Sequence, residues 1–265
     1  MRSRRRTREA EVDPFYDMLF NMLIAFVFCF IVALLAMNPK ALKAGDGCSG
    51  APPSLSYFPL EAGQRWHYEL ASEWENNTGE REPLVLRTLG EGTLESGAKA
   101  WRRRSDSGVD YWLRVDETGI FRVASKTDLQ EDPVLNKPTR PVLKMPLAVG
   151  TSWQAQTTTY LLRRNADFPP EIRHRHKPVL MTCRIEALGQ TVVTRAGPFN
   201  DCIKVAGSAV IKLFADRVVG FRDLPLTNTE WYCKGVGLVK MQRDEPAQST
   251  FLTGGTMTLE LTEWQ

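Results

Sequence analysis

The residue of this chain best placed to do chemistry is Asp17, a carboxylate directly ahead of an uncharged apolar run at residues 18–37. The run has about 20 residues, the length that a helix needs to cross a ~30 Å hydrocarbon core. A carboxylate at the mouth of a membrane span is costly and therefore usually has a function. In low dielectric it could take up a proton on one side and release it after a rotation. Asn21, one turn further on the same helical face, could hydrogen-bond to it.

Basic residues flank this run unequally. Five arginines precede it within residues 2–8, whereas only Lys40 and Lys43 follow closely. The positive-inside rule then places the N-terminus in the cytoplasm and exports the remainder. A cleaved signal peptide is the competing interpretation, but it requires a shorter apolar region and a small-x-small cleavage site. We therefore expect a single-pass protein of the bacterial inner membrane with a periplasmic C-terminal domain.

Composition divides the chain into four parts. An arginine-rich tail at residues 1–12 precedes the predicted transmembrane helix at 13–38, and Gly, Pro, Ala and Ser make 39–56 typical of a flexible linker. From Tyr57 onward, aromatic residues and alternating strand-like segments predict a globular domain over 57–265. The formal net charge of +3 is small, so no nucleic-acid partner is expected.

The exported domain shows a pattern of internal duplication. Residues 59–66 (Pro-Leu-Glu-Ala-Gly-Gln-Arg-Trp) recur at 146–153 (Pro-Leu-Ala-Val-Gly-Thr-Ser-Trp), with Pro, Leu, Gly and Trp at the same offsets. A second pair follows in the same order, because residues 112–123 match 231–241 with a shift of one residue. We therefore predict two repeats, over about 58–125 and 145–243, with an insertion around 167–178 in the second.

Each repeat reads as short strands joined by turns, and no convincing amphipathic helix follows residue 57. The predicted fold class is mainly β: a single N-terminal transmembrane helix, then a duplicated antiparallel sheet that is clam- or sandwich-like. The two units would pack as one curved sheet or as two facing sheets. Trp66, Trp153 and Trp231 are the expected core residues.

The segment Asp13-Pro14-Phe15-Tyr16-Asp17-Met18-Leu19, followed by the apolar run, resembles the transmembrane helix of the ExbD, TolR and MotB family, including Zorya-type motor subunits. In that family the helix is dimeric and sits inside a pentamer of ExbB-, TolQ- or MotA-like subunits. The resemblance implies a homodimer within such a pentamer. It implies that Asp17, supported by Asn21, carries H⁺ or Na⁺ in a rotary motor driven by the ion-motive force, with no other cofactor.

The exported part resembles a different group. Its segments 57–66 (Tyr-Phe-Pro-Leu with the following Gly and Trp), 196–199 (Ala-Gly-Pro-Phe) and 231–240 look like periplasmic β-rich lipoprotein-type domains of the TapB-like sort. This similarity covers most of residues 57–243. It supports an alternative function, a membrane-tethered periplasmic binding or envelope protein whose helix is a simple anchor. In either case the β domain could bind a target in the periplasm or cell envelope.

Three cysteines lie in the exported domain, where an oxidising compartment favours a disulfide. Cys183 and Cys202 bracket a strand and its turns, and the family-like pattern favours this pair. Cys202 with Cys233 is the alternative. No Walker loop, GxSxG elbow or HExxH helix occurs in the sequence, so we expect no enzyme, no catalytic residue and no metal site.

Overall fold

The computed structural model describes residues 56–94, 97–164, 178–216 and 218–265. Asp17, Asn21 and the apolar run at 18–37 lie outside the described residues, so the predictions made for them stay predictions. Within the described ranges, no helix has the length and apolar character to cross a membrane.

The first six strands form a meander in which each strand pairs antiparallel with the next one along the chain. We call it the first meander; it consists of β1 (Arg65–Trp74), β2 (Gly79–Thr93), β3 (Lys99–Ser105), β4 (Val109–Asp116), β5 (Gly119–Thr127) and β6 (Val134–Lys144).

A second meander of six strands follows. It consists of β7 (Ser152–Thr157), β9 (Val179–Thr194), β10 (Gly197–Asp216), β11 (Gly220–Cys233), β12 (Gly237–Glu245) and β14 (Gly255–Trp264). Two short strands, β8 (Arg163–Arg164) and β13 (Leu252–Thr253), pair with each other in a separate small sheet.

The two meanders join edge to edge into one sheet, because β1 pairs antiparallel with β14 from Trp66 opposite Trp264 to Trp74 opposite Gly255. The other two edge strands, β6 and β7, lie close to each other without forming a ladder. We call the line between β6 and β7 the seam. The sheet is therefore nearly closed around an interior.

The prediction of a mainly β, antiparallel fold is confirmed for the described residues, although the two meanders form one curved sheet and not a sandwich. Burial alternates along the strands as a half-buried sheet requires. In β11, Leu224, Leu226, Asn228, Glu230 and Tyr232 are buried, while the residues between them are more exposed. Inward-facing positions thus define the core.

Apolar side chains fill most of the interior. The main cluster draws on both meanders and contains Trp66, Tyr68, Leu86, Tyr111, Ile120, Trp153, Ile203, Tyr232 and Leu238, among others. The second cluster lies between β9, β10 and β11 and contains Leu162, Met181, Ile211, Leu213, Leu224, Leu226 and Leu252, among others. Trp66 and Trp153 are buried, and Trp231 is partly buried against the main cluster.

Two aromatic side chains tie the meanders together inside the main cluster. The Trp66 indole N–H donates to the carbonyl oxygen of Val236 at 3.2 Å, and the Tyr68 hydroxyl donates to that of Leu238 at 2.9 Å. Since buried Trp and Tyr side chains need a partner for their polar atom, these bonds favour one mutual placement of the two meanders.

One disulfide joins neighbouring strands, and it is Cys202–Cys233. The register of β10 and β11 sets Cys202 directly opposite Cys233, with their Cα atoms 3.9 Å apart. The favoured Cys183–Cys202 pairing is therefore corrected, because β9 sets Cys183 opposite Gly207 and leaves Cys202 opposite Gln190. Cys183 is a free thiol.

Candidate functional site

Polar and charged side chains lie inside the sheet between the two apolar clusters. We call them the polar layer: Arg122, Arg140, Thr157, Tyr160, Cys183, Asn228, Glu230, Arg243 and Glu245. Cys183 packs against both clusters, and its thiol lies within electrostatic range of Glu230, Arg140 and Arg243. Strands from both meanders thus converge on one polar region.

In the second meander an arginine of the layer is paired with a carboxylate. Arg243 and Glu245 lie two residues apart on β12, so both point inward, and their Nε and Oε1 atoms are 2.6 Å apart. Glu245 also accepts hydrogen bonds from the backbone N–H groups of residues 160–162. Arg243 donates to the Thr158 carbonyl at 2.6 Å and stacks on the Tyr160 ring. We call Arg243 and Glu245 the closed pair.

The carboxyl group of Glu230 lies beside the closed pair and is also buried. It accepts hydrogen bonds from the Asn228 amide and the Tyr232 hydroxyl, each at 2.6 Å. Burial raises the pKa of Glu230, while these hydrogen bonds and the charges of Arg140 and Arg243 oppose the rise. Proton binding by this acid is therefore easier in the folded protein than in the unfolded chain.

In the first meander two arginines face each other, and no carboxylate of the described residues lies between them. Arg122 on β5 is directly opposite Arg140 on β6, and we call them the open pair. Arg122 donates from Nε to Asn136 Oδ1 at 3.2 Å and lies 5.8 Å from the centre of the Tyr111 ring. Burial and the neighbouring Arg140 lower the pKa of Arg122 to about 9, so it is still charged at neutral pH.

Several donor atoms of the open pair are unused. Nη1 of Arg122 and both Nε and Nη1 of Arg140 are buried, and none has a hydrogen-bond partner among the described residues. Like charges placed directly opposite each other in a sheet are destabilising. The open pair is therefore a local concentration of positive charge with spare hydrogen-bond donors.

A distortion of β6 lies next to the open pair. Leu135 pairs with Ala124 and Arg140 pairs with Arg122, so residues 136–139 of β6 face a single residue of β5. Such irregularities are frequent beside functional sites and at sheet edges, where they redirect side chains. Because β6 borders the seam and Arg140 is only partly buried, one member of the open pair lies at the seam within reach of solvent.

Arg103 is a third buried arginine and differs from the open pair. It is fully buried, lies 4.4 Å over the Trp66 ring, and donates to the hydroxyl of Thr88 and to the carbonyl of Pro59. Neutral acceptors take hydrogen bonds from its Nε and Nη2 and the Trp66 ring covers its plane, so that Nη1 alone lacks a hydrogen-bond partner among the described residues. We therefore interpret Arg103 as a side chain that stabilises the fold.

The one thiol of the polar layer, that of Cys183, is not an activated nucleophile. Burial and the charge of Glu230 raise the pKa of Cys183 to about 12, which keeps it in the unreactive thiol form at neutral pH. No group of three or more His, Cys, Asp or Glu side chains in the described ranges is arranged to hold a metal ion. The unused hydrogen-bonding atoms of the layer are guanidinium donors of Arg122 and Arg140 and one acceptor, the amide oxygen of Asn228.

Sequence reasoning did not find the polar layer. The signal in β12 was available, because Arg243 and Glu245 occupy the same alternating positions as the buried Val239 and Met241. The open pair had no comparable signal, since Arg122 and Arg140 meet only through the irregular register of β5 and β6.

No family model matches the chain, and no curated protein matches it. Among solved structures it is similar to a candidate lipoprotein from Parabacteroides distasonis, with 13% identity, a TM-score of 0.37, and coverage of 79% of this chain and 98% of that one. It is also similar to a candidate exported protein with a YmcC-like fold from Bacteroides fragilis, with 14% identity, a TM-score of 0.34, and coverage of 78% and 98%.

The two descriptions speak of a lipoprotein and an exported protein, and neither is of a motor subunit. This finding overturns the prediction that the chain is a motor subunit driven by the ion-motive force, and that prediction is wrong.

Proposed function

We propose that this chain is a membrane-tethered envelope protein whose β domain binds a ligand in the polar layer. The observation that carries the proposal is the polar layer itself, whose buried polar groups lie between two apolar clusters. Some of the donor atoms in this layer have no hydrogen-bond partner among the described residues. Protein interiors satisfy nearly all their buried polar groups, so unused ones call for a functional explanation.

Two features support the envelope location. The apolar run at 18–37, with its arginine-rich leader, is proposed as the anchor, and it would leave the β domain outside the cytoplasm. The Cys202–Cys233 disulfide fits an oxidising compartment. Both solved structures described above come from proteins described in similar terms, a lipoprotein and an exported protein.

Binding is favoured over catalysis by the state of the layer's reactive groups. Glu245 is fully engaged by Arg243 and three backbone N–H groups. The Cys183 thiol is protonated, and Glu230 is held by two hydrogen bonds. The remaining capacity lies in guanidinium donors of the open pair and in the amide oxygen of Asn228, groups that recognise a ligand and do not attack it.

We also propose that the two meanders are repeats of one unit. Residues 59–66 lead into β1 and residues 146–153 into β7, so that Trp66 and Trp153 each occupy the second position of a first strand. Trp112 and Trp231 each lie in the fourth strand of their meander. A superposition of the two meanders with these tryptophans in equivalent places would support the proposal; unrelated paths would contradict it.

The envelope location is tested with the full chain in a Gram-negative host. We expect external protease to digest the β domain in spheroplasts, and thiol trapping to show Cys202 and Cys233 oxidised. Replacing residues 1–38 with a cleavable signal peptide should release the domain into the soluble periplasmic fraction. A domain that is protected from protease and reduced would contradict the proposal.

The binding function is tested by native mass spectrometry of the full chain purified from its membrane. We expect a bound small molecule that is released on unfolding. Cys183→Trp, which places a large side chain in the polar layer, should remove it. Leu180→Trp, at an exposed position of the same strand, is the matched control and should retain it. A wild-type protein with an empty interior would contradict the proposed function.

A further inference from the structure

We propose that the open pair, Arg122 and Arg140, binds one oxyanion group, a carboxylate or a phosphate, which enters at the seam. This inference rests on the proposed binding function and names the chemistry of the ligand. It comes from the arrangement of two opposed guanidinium groups with three buried, unused donor atoms.

The arrangement is unfavourable without a ligand. A buried donor that loses its water and gains no partner forfeits its hydrogen-bond energy, and the cost is greater for a charged group. Arg122 is 4% exposed and faces a second positive charge across the ladder. An oxyanion between the two side chains would supply acceptors for these donors and remove the charge repulsion in one step.

The closed pair shows, within the same layer, what satisfies an interior arginine of this protein. Arg243 meets the Glu245 carboxylate at 2.6 Å, in a charge-assisted hydrogen bond. Carboxylates and phosphates match the planar fork of a guanidinium group better than neutral acceptors do. We therefore infer that the ligand supplies an anionic oxygen group to the open pair, as Glu245 supplies its carboxylate to Arg243.

No carboxylate of the described residues takes this role at the open pair. Glu230 is within electrostatic range of Arg140, but its oxygens accept hydrogen bonds from Asn228 and Tyr232, and no ion pair within 4.0 Å joins it to either arginine among the described residues. Glu230 instead limits which anions bind, because its charged form repels an incoming oxyanion.

The position at the seam determines how a ligand arrives. β6 and β7 are not joined by a ladder, Arg140 is partly exposed, and residues 136–139 beside it are left out of the ladder with β5. Cys183, which lies near Arg140, packs against both apolar clusters. The oxyanion could thus be a free ion or the headgroup of a molecule with an apolar chain.

The test is isothermal titration of the full chain in phosphate-free detergent with two probes, inorganic phosphate and dodecanoate. We expect saturable binding of at least one probe. Arg122→Gln and Arg140→Gln should each weaken it about 10- to 100-fold, the effect of losing a hydrogen bond from a charged donor. Arg87→Gln, at an exposed position of β2, is the matched control and should bind as the wild type does.

The two probes separate the sources of the oxyanion. Binding of phosphate with no gain for dodecanoate indicates a free anion, whereas tighter dodecanoate binding that phosphate competes away indicates a headgroup on an apolar chain. Either supports the inference. Absence of binding by both probes, or binding that neither arginine variant weakens, overturns it.

Failure of this inference can be told apart from failure of the proposed function. A neutral molecule found in the polar layer by native mass spectrometry would overturn the oxyanion assignment and leave the binding function standing. An empty interior together with no binding of phosphate or dodecanoate would overturn both.

Discussion

The closed pair and the open pair are two solutions to the same problem, a charged side chain inside a β-sheet domain. On β12, Arg243 has its carboxylate two residues away on the same face, and both side chains are almost fully buried. On β5 and β6, Arg122 and Arg140 lie directly opposite each other, so each arginine faces a second positive charge. The first arrangement is complete without a ligand, and the second is not.

This difference separates the residues of the polar layer that stabilise the fold from those that are left for binding a ligand. Glu245 holds the backbone of residues 160–162 against β12, so the closed pair fixes the segment that links β7 to β8. The open pair holds nothing comparable, since among the described residues Arg122 has one side-chain hydrogen bond, to Asn136. A residue that stabilises the fold and a residue kept for binding should therefore respond in opposite ways to the same substitution.

Arg243→Met should have the largest effect on stability. It would leave Glu245 as a buried, uncompensated carboxylate, and breaking a buried ion pair from one side costs about 3–5 kcal/mol of the free energy of unfolding. Urea unfolding of the full chain, monitored by tryptophan fluorescence, is the measurement. Arg87→Met, at an exposed position, is the control; an equal effect of both variants would remove the basis for the closed pair.

The second meander is further fixed by its disulfide, whose removal should have the next largest effect. Replacing Cys202 and Cys233 by Ser together should lower the free energy of unfolding by about 2–4 kcal/mol, because the unfolded chain gains freedom. Cys183→Ala, which removes only the free thiol, should cost less. If reduction of the wild-type protein leaves its urea midpoint unchanged, the disulfide does not contribute.

The strands of this fold could be predicted from the sequence more readily than its site. Alternation of apolar residues marks strands such as β7, where Trp153 and Ala155 point inward. The turn formers at 195–201 indicate the reversal between β9 and β10, although the connection itself is only residues 195 and 196 because β10 begins at Gly197. These signals are local. The pairing of β1 with β14, which makes one nearly closed sheet from two units, joins residues from the two ends of the domain and has no local signal.

Register explains the remaining misses. The cysteine partner of Cys202 depends on how β10 aligns with β11 and with β9, and a shift of a few residues changes it. The meeting of Arg122 and Arg140 depends likewise on residues 136–139 being left out of the ladder. Sequence spacing cannot specify such an irregularity, because side-chain packing across neighbouring strands decides it.

A pH titration sharpens the comparison, because Glu230 lies between the two pairs and interacts with Arg140 and Arg243. Its pKa is raised by folding, so the native state binds the proton more tightly than the unfolded chain. The free energy of unfolding should therefore fall as pH rises from about 4.3, the ordinary pKa of Glu, to the raised value. Glu230→Gln should flatten this slope; an unchanged slope would assign it to another group.

The smallest effect on stability should come from Arg122→Met, the same substitution that is costly at position 243. It removes a buried charge that faces Arg140 and leaves no buried carboxylate behind. A buried charge without an opposite charge beside it is costly, and an apolar side chain of similar size avoids that cost, so we expect a change between zero and a gain of about 1–2 kcal/mol. Urea unfolding without added phosphate or dodecanoate, beside Arg243→Met, measures it. A loss of stability as large as that of Arg243→Met would show that Arg122 serves the fold, and the contrast between the pairs would then be lost.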